Sequence, residues 1–171
     1  MNTVLLTNLI KIRWIAIVGQ LITLFTIFYV FNFTIPLAEC LFVVCLSILV
    51  NFSSYFIQKG NSTLTDKKTF LFLLFDISQL VGLLFLTGGV FNPFVVLILA
   101  PIIISASYLS ALWTILLSSY SILLILIINF NYIPLNWEQN FITPSIYNIG
   151  ILVALIITII FIAIYAYLFA S

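Results

Sequence analysis

Charged residues and histidine are the scarcest features of this 171-residue sequence, which has five lysines and arginines, four aspartates and glutamates, and no histidine. It contains no aspartate-rich diphosphate motif and no pairing of a nucleophile with a base, two patterns that are typical of enzyme sites. The sequence therefore predicts no catalytic residue and no metal site. It also gives no indication of a nucleic-acid partner.

Cysteine is almost absent as well. The two cysteines, Cys40 and Cys45, are five residues apart in one apolar run. On a helix this spacing places them on different faces, which excludes a local disulfide and a metal-ligand pair. We interpret both as buried structural residues, which is the usual environment of free cysteine.

Apolar residues are abundant, at 65% of the chain with a mean hydropathy of +1.39, too many for a water-soluble fold to bury. Several apolar runs approach the roughly 20 residues that an α-helix needs to cross a bilayer. We therefore predict an all-α polytopic membrane protein, a single domain over residues 1–171 built as a bundle of six transmembrane helices, with a kink at Pro101. The predicted spans are Trp14–Asn32, Leu37–Ile57, Thr69–Thr87, Phe94–Leu109, Leu112–Ile128 and Tyr147–Phe169.

The basic residues predict the orientation in the membrane. Lys11 and Arg13 precede the first span, and the other three lie in the Lys59–Lys68 connection, so all five fall on one side of a six-span arrangement. The positive-inside rule makes that side cytoplasmic. We therefore expect a multi-pass protein of a bacterial inner membrane with both termini in the cytoplasm and the 88–94 turn outside.

Asp76 is the carboxylate placed deepest in a predicted span. A charge at that depth must face the bundle interior, find a partner or be protonated. Gln79 follows on the same helix face and can share a hydrogen bond with it. Two interpretations stay open and are weighted about equally: a functional intramembrane polar element and a polar clasp between helices.

The segment Thr87-Gly88-Gly89-Val90-Phe91-Asn92-Pro93-Phe94 joins two apolar runs. Adjacent glycines can end a helix with positive φ, and Asn-Pro can begin the next one. The same segment leaves backbone polar groups next to two aromatic rings, which suits an amphipathic ligand. Local chemistry alone favours the simple connector over the ligand site.

Three motifs resemble the RegB-type redox-sensing histidine kinases, including the Prr and Act relatives. Phe75-Asp76-Ile77-Ser78-Gln79-Leu80 followed by Leu84-Phe85-Leu86-Thr87-Gly88-Gly89-Val90-Phe91-Asn92-Pro93-Phe94 resembles the most specific stretch of that family. Arg13-Trp14-Ile15-Ala16 with Gly19-Gln20, and Leu99-Ala100-Pro101 with Ile104-Ser105-Ala106, resemble its first and fourth spans. The resemblance covers about residues 12–170.

The resemblance implies a membrane domain that senses the redox state of the quinone pool. It assigns ubiquinone binding to Gly88, Gly89, Asn92, Pro93 and Phe94. In this interpretation Asn92 supplies an amide donor and acceptor, Phe94 a stacking face, and the glycines room for close approach. The partners expected are the lipid bilayer and a quinone, and a homodimer stays open.

The family's cytoplasmic half carries a phosphoacceptor histidine, an ATP-binding domain and a redox-active cysteine. Because the chain has no histidine and stops after the sixth predicted span, we expect a sensory input domain that lacks its transmitter and is not catalytic by itself. The alternative is a substrate-binding six-helix subunit of a vitamin-type transporter, which has a similar size.

Overall fold

The structure is a computed structural model that describes residues 6–30, 32–57 and 64–135, together with Leu152, Leu155, Ile156 and Ile159. Within these residues the chain is helical and has no β-strand. The predicted all-α class is therefore confirmed for this part of the chain.

Five α-helices make up most of the described residues. They are α1 (Leu6–Phe25), α2 (Leu37–Ile57), α3 (Asp66–Leu86), α4 (Leu99–Tyr108) and α5 (Ala111–Phe130). A π-helical stretch, Thr26–Val30, extends α1, and two 3-10 stretches, Gly89–Phe91 and Pro93–Ile98, connect α3 to α4.

Four of the described helical segments are long and apolar enough to cross a membrane: Leu9–Val30, Leu37–Phe56, Asp66–Leu86 and Ala111–Phe130. Large apolar side chains point outward from them, and both Phe56 and Phe130 are 79% exposed. An extensive apolar surface of this kind is suited to lipid and not to water.

The predicted count of six spans is not supported, since four of the described helical segments are long and apolar enough to cross a membrane. The fourth predicted span corresponds to the shorter helical stretch Pro93–Tyr108, which begins as a 3-10 helix and becomes α-helical two residues before Pro101. Proline is tolerated there because the first turn of an α-helix does not use its missing N–H. The sixth predicted span, Tyr147–Phe169, lies outside the described residues except for four helical positions.

The helices alternate in direction, so that α1, α3 and α5 run the same way. At one end of the bundle the rings of Phe70 and Trp113 lie 4.9 Å apart. At the other end the 3-10 turn after α3 contacts the segment that follows α5, where Phe91 and Tyr132 meet. Because the stretch Pro93–Tyr108 lies between the turn at one end and the start of α5 at the other, it extends from one end of the bundle to the other. Among the four spans α3 is the most buried, and it contributes to the hydrophobic cores on both of its sides.

Candidate functional site

Two consecutive glycines in the left-handed region form the turn after α3. Gly88 has a φ of 104° and Gly89 a φ of 63°, values that residues with a Cβ rarely adopt. A Cβ on Gly89 would lie 2.7 Å from Cγ of Tyr132, and one on Gly88 would lie 3.1 Å from Cδ1 of Leu135. Both glycines are therefore required by backbone conformation and by the close approach of other residues of the chain.

The segment that follows α5 packs directly on this turn. The amide of Gly88 donates to the carbonyl of Ile133 at 3.0 Å, and the amide of Ile133 donates to the carbonyl of Phe85 at 2.7 Å. The rings of Phe91 and Tyr132 lie 5.4 Å apart between centroids. The room beside the glycines is thus taken by the chain itself and is not left open to a ligand.

Asn92 is buried, and its side chain is bonded within the turn. Its Nδ2 donates to the carbonyl oxygen of Thr87 at 2.9 Å and to Oγ1 of Thr87 at 2.8 Å, which uses both amide hydrogens. Its Oδ1 accepts the amide of Phe94 at 2.9 Å and caps the 3-10 helix that Pro93 begins. The cap on this 3-10 helix supports the connector interpretation of Asn92 and Pro93, and Asn92 keeps no free donor.

A cavity of about 210 Å³ lies beside the turn, between α1 and α3. Phe94 is the aromatic residue of its lining and is 40% exposed. Among the residues that line it are Gly19, Gln20 and Thr23 of α1, Leu83 of α3, Thr87 directly after α3, and Asn92, Phe94 and Leu97 beyond the glycines. Of the five turn residues assigned to quinone, Asn92 and Phe94 are therefore in the lining, whereas Gly88, Gly89 and Pro93 are not.

Asp76 forms an ion pair with Arg13 of α1. Nε of Arg13 lies 2.8 Å from Oδ1 of Asp76, and Nη2 donates to Oδ2 at 3.1 Å. Arg13 is only 5% exposed, and its guanidinium carbon lies 5.1 Å from the ring centroid of Phe72 and 5.8 Å from that of Phe75. Pairing removes the isolated charge that would be costly at this depth.

Gln79 is bonded to α1 in a similar way. Nε2 of Gln20 donates to Oε1 of Gln79 at 3.2 Å, and Nε2 of Gln79 donates to Oε1 of Gln20 at 3.1 Å. Asp76 and Gln79 thus each contact α1, and within the described residues no hydrogen bond joins the two. This geometry favours the interpretation of these residues as a polar clasp between α1 and α3.

Sequence reasoning missed the partners on α1. It interpreted Arg13 as a charge that sets the orientation, noted Gln20 only as part of a family motif, and did not consider Thr23. A signal was present, because Gln20 follows Arg13 by seven residues and Thr23 follows Gln20 by three, so the three share one helix face. Polar residues that share a face of an apolar helix indicate a polar contact within the bundle.

Few other described residues are candidates for metal binding or thiol chemistry. Among the residues that the structure describes, no three metal-ligating side chains come together. Cys40 is buried, but Cys45 is exposed on the outer face of α2, so the prediction that both are buried is wrong for Cys45. The reason is their separation by five residues, which turns the second thiol away from the face that packs on the bundle.

This chain is similar in sequence to sensor histidine kinases. The RegB sensor histidine kinase of Cereibacter sphaeroides is 34% identical over 163 residues, which cover 94% of this chain and 35% of that protein. A second RegB sensor histidine kinase, from a named strain of the same species, is 34% identical over 75 residues, covering 44% of this chain and 16% of that protein. No family model and no solved structure matches the chain. The chain spans about a third of the length of the relative that it matches over most of its residues. The motifs indicated a resemblance to RegB-type sensor domains. The comparison confirms this resemblance over 94% of the chain.

Proposed function

We propose that this chain is the quinone-sensing transmembrane input domain of a two-component sensor histidine kinase. The similarity to RegB supports the sensory class. The observation that carries the quinone assignment is the cavity between α1 and α3, which is bordered by Phe94 at the turn to which the resemblance assigns the ligand. The transporter-subunit alternative is not favoured, since the similar proteins are sensor kinases.

The cavity suits one ring with an apolar tail. Its volume of about 210 Å³ is below the roughly 300–1,000 Å³ of pockets that enclose a whole drug-sized ligand, so it would hold a head group and leave the tail outside. Its lining is mostly aliphatic, and the residues Ala16 and Gly19 at its edge are exposed. The tail of ubiquinone would leave past these two small residues into lipid.

The five turn residues take different parts in this proposal. Phe94 contacts the ring, because its exposed side chain borders the cavity. Gly88 and Gly89 allow the chain to turn, and Asn92 with Pro93 begins the next helix and holds Phe94 in position. The ligand would therefore be bound beside the turn and not by all five residues.

Ligand oxidation state would act on the packing of α1 against α3. A quinone carbonyl only accepts hydrogen bonds, whereas a quinol hydroxyl also donates them. Because α1 and α3 form opposite walls of the cavity, a ligand that binds one packing of these helices better shifts the population toward it. Val90 and Val95 belong to the same hydrophobic cluster as Leu155 and Ile159, which offers a route toward the C-terminal helical residues.

The membrane arrangement belongs to this proposal. Six residues of 3-10 helix and ten of α-helix in Pro93–Tyr108 extend roughly 27 Å, close to the ~30 Å of hydrocarbon, so this stretch can serve as a span despite its few residues. With the predicted segment Tyr147–Phe169 as a sixth span, both termini would lie in the cytoplasm of a bacterium, at the inner membrane. The basic residues Lys67 and Lys68 at the start of α3 support this orientation.

Cysteine labelling tests the orientation. In a chain with both native cysteines replaced by alanine, Asn131→Cys and Lys68→Cys each introduce a thiol at an exposed position, at opposite ends of the bundle. We expect a membrane-impermeant maleimide to label position 131 in spheroplasts and position 68 only after lysis. The reverse pattern would contradict the orientation and the external position of the turn.

Filling the cavity tests the quinone site. Gly19 lies exposed at the edge of the cavity, and a Cβ built on it would have no atom within 4 Å, so the helix can carry a larger side chain there. Gly19→Leu is expected to obstruct the opening of the cavity and to abolish binding of a short-tailed ubiquinone. Phe94→Ala removes the aromatic contact and should weaken binding about tenfold. Binding is measured by quenching of tryptophan fluorescence in nanodiscs.

Two matched substitutions control for unspecific effects on quinone binding. Val18→Leu enlarges an outward-facing neighbour of Gly19, and Phe130→Ala removes a phenylalanine that is 79% exposed at the end of α5 nearest the turn. Neither residue is in the cavity lining. Quinone affinity that is unchanged in both Gly19→Leu and Phe94→Ala would exclude this cavity as the site.

A further inference from the structure

The donor that a quinone carbonyl needs cannot come from the Asn92 amide as the turn stands. Both hydrogens of its Nδ2 are donated to Thr87, and its Oδ1 accepts the Phe94 amide. The hydroxyl of Thr87 is also engaged, since it donates to the carbonyl of Leu83 at 2.6 Å. A quinone carbonyl, which needs a donor, could bond these groups only if one of these bonds is broken.

The opposite wall of the cavity, on α1, has hydrogen-bond donors and acceptors that are not used within the described residues. Gln20 and Thr23 are one turn apart on α1, half-buried, and both line the cavity. The Gln20 amide uses one donor and one acceptor for its reciprocal bonds to Gln79, which leaves one N–H and one oxygen lone pair. The Thr23 hydroxyl makes no hydrogen bond to any residue in the part of the chain that the structure describes.

We infer that Gln20 and Thr23 form the polar subsite of this cavity and bond the oxygen of a ring carbonyl or ring hydroxyl. This inference rests on the proposed function and moves the polar recognition from the turn to α1. Each group can donate and accept, so the subsite can satisfy a carbonyl through the Gln20 N–H and the Thr23 O–H, and a hydroxyl through their oxygens.

The two hydrogen bonds to Gln79 hold the Gln20 side chain in one conformation. An isolated glutamine on an apolar helix can take several rotamers, and ordering its side chain on binding would cost conformational entropy. Here the reciprocal bonds hold the amide at the cavity wall before a ligand arrives. They also connect a ligand bound at Gln20 to α3, the most buried of the four spans.

Thr23→Val is the cleanest test of the subsite, because valine keeps the shape of threonine and the hydroxyl has no partner to lose. We expect the 171-residue chain with Thr23→Val to bind short-tailed ubiquinone in nanodiscs about threefold to tenfold more weakly, the loss of one hydrogen bond, with no decrease in thermal stability. Thr26→Val makes the same change one turn further along, outside the cavity lining, and should leave the affinity unchanged.

The amide is tested with both partners removed. Gln20→Leu alone would leave Gln79 unpaired, whereas Gln20→Leu combined with Gln79→Leu removes both amides and should weaken binding at least as much as Thr23→Val. If the unaltered chain shows no saturable quinone binding, the proposed function fails and the subsite with it. If the chain binds quinone and Gly19→Leu abolishes this, but Thr23→Val and the double leucine variant bind normally, the subsite is wrong and the proposed function stands.

Discussion

Replacing Arg13 with leucine is expected to destabilise the bundle by about 3–5 kcal/mol, because Asp76 would keep a largely buried carboxylate and lose its cation. Arg13 is 5% exposed and also packs over Phe72, so its contacts are not shared with bulk water. Unfolding in detergent micelles, followed by circular dichroism, measures the change. Lys11→Leu is the matched control, since it removes an exposed basic residue two positions away and should change stability little.

The double variant Arg13→Leu with Asp76→Leu separates the ion pair from a general effect of apolar substitution. Replacing both members of a buried pair by apolar residues is often close to neutral, so we expect most of the loss to be recovered. The difference between the double and single variants gives the coupling energy. A loss below about 1 kcal/mol for Arg13→Leu, as for an exposed ion pair, would contradict the burial of this clasp.

Gly89→Ala is the second substitution for which a large effect is expected. A Cβ in the left-handed conformation costs roughly 1–2 kcal/mol. The new methyl would lie 2.7 Å from Cγ of Tyr132 and 3.0 Å from the backbone oxygen of Ile128, and overpacking of this kind adds about 1–3 kcal/mol. We therefore expect the thermal transition to fall strongly or the turn to lose its contact with the segment after α5.

Two further variants identify the cause. Gly19→Ala places the same methyl where no atom lies within 4 Å, in a helix that alanine favours, and should stabilise the chain by up to about 1 kcal/mol. Gly89→Ala combined with Tyr132→Ala removes the contact with Cγ of Tyr132, but it keeps the contacts with Cβ of residue 132 at 2.8 Å and with the Ile128 oxygen at 3.0 Å, as well as the backbone conformation. Measured against Tyr132→Ala alone, the loss caused by Gly89→Ala should therefore be reduced only in part. A Gly89→Ala chain as stable as the unaltered one would mean that the turn does not have this geometry.

Composition and hydropathy were sufficient to predict the helical class, and the first five predicted spans fall on helices that the structure describes. The ends of the helices were harder to predict, since hydropathy marks the apolar part of a helix and not its continuation beyond that part. Thus α1 begins at Leu6 and not at Trp14, and α3 begins at Asp66 and not at Thr69. The fourth predicted segment, Phe94–Leu109, matches the helical stretch Pro93–Tyr108 to within one residue at each end, but its 3-10 beginning has no hydropathy signal.

The site was predicted less completely, because its decisive contacts join residues far apart in the chain. That Asp76 needs a partner follows from its depth. The partner, Arg13, is 63 residues away in the chain, and its charge was already explained as that of a basic residue at the membrane surface. Asn92 had two chemically sound roles, and only the positions of Thr87 and Phe94 show that its amide is already used. The cavity was not visible at all, since its walls come from α1, α3 and the turn together.

The contact of Gly88 and Gly89 with the segment after α5 has an evolutionary consequence. Their backbone conformation and the nearness of Tyr132 and Leu135 constrain both positions whether or not a ligand binds, so relatives that have lost a quinone response should still retain these glycines. Thr23 is under no such constraint from the described residues, so substitutions at this position would not destabilise the fold. Invariance at Thr23 across distant relatives would therefore be evidence of selection for a ligand, which invariance of the glycine pair is not.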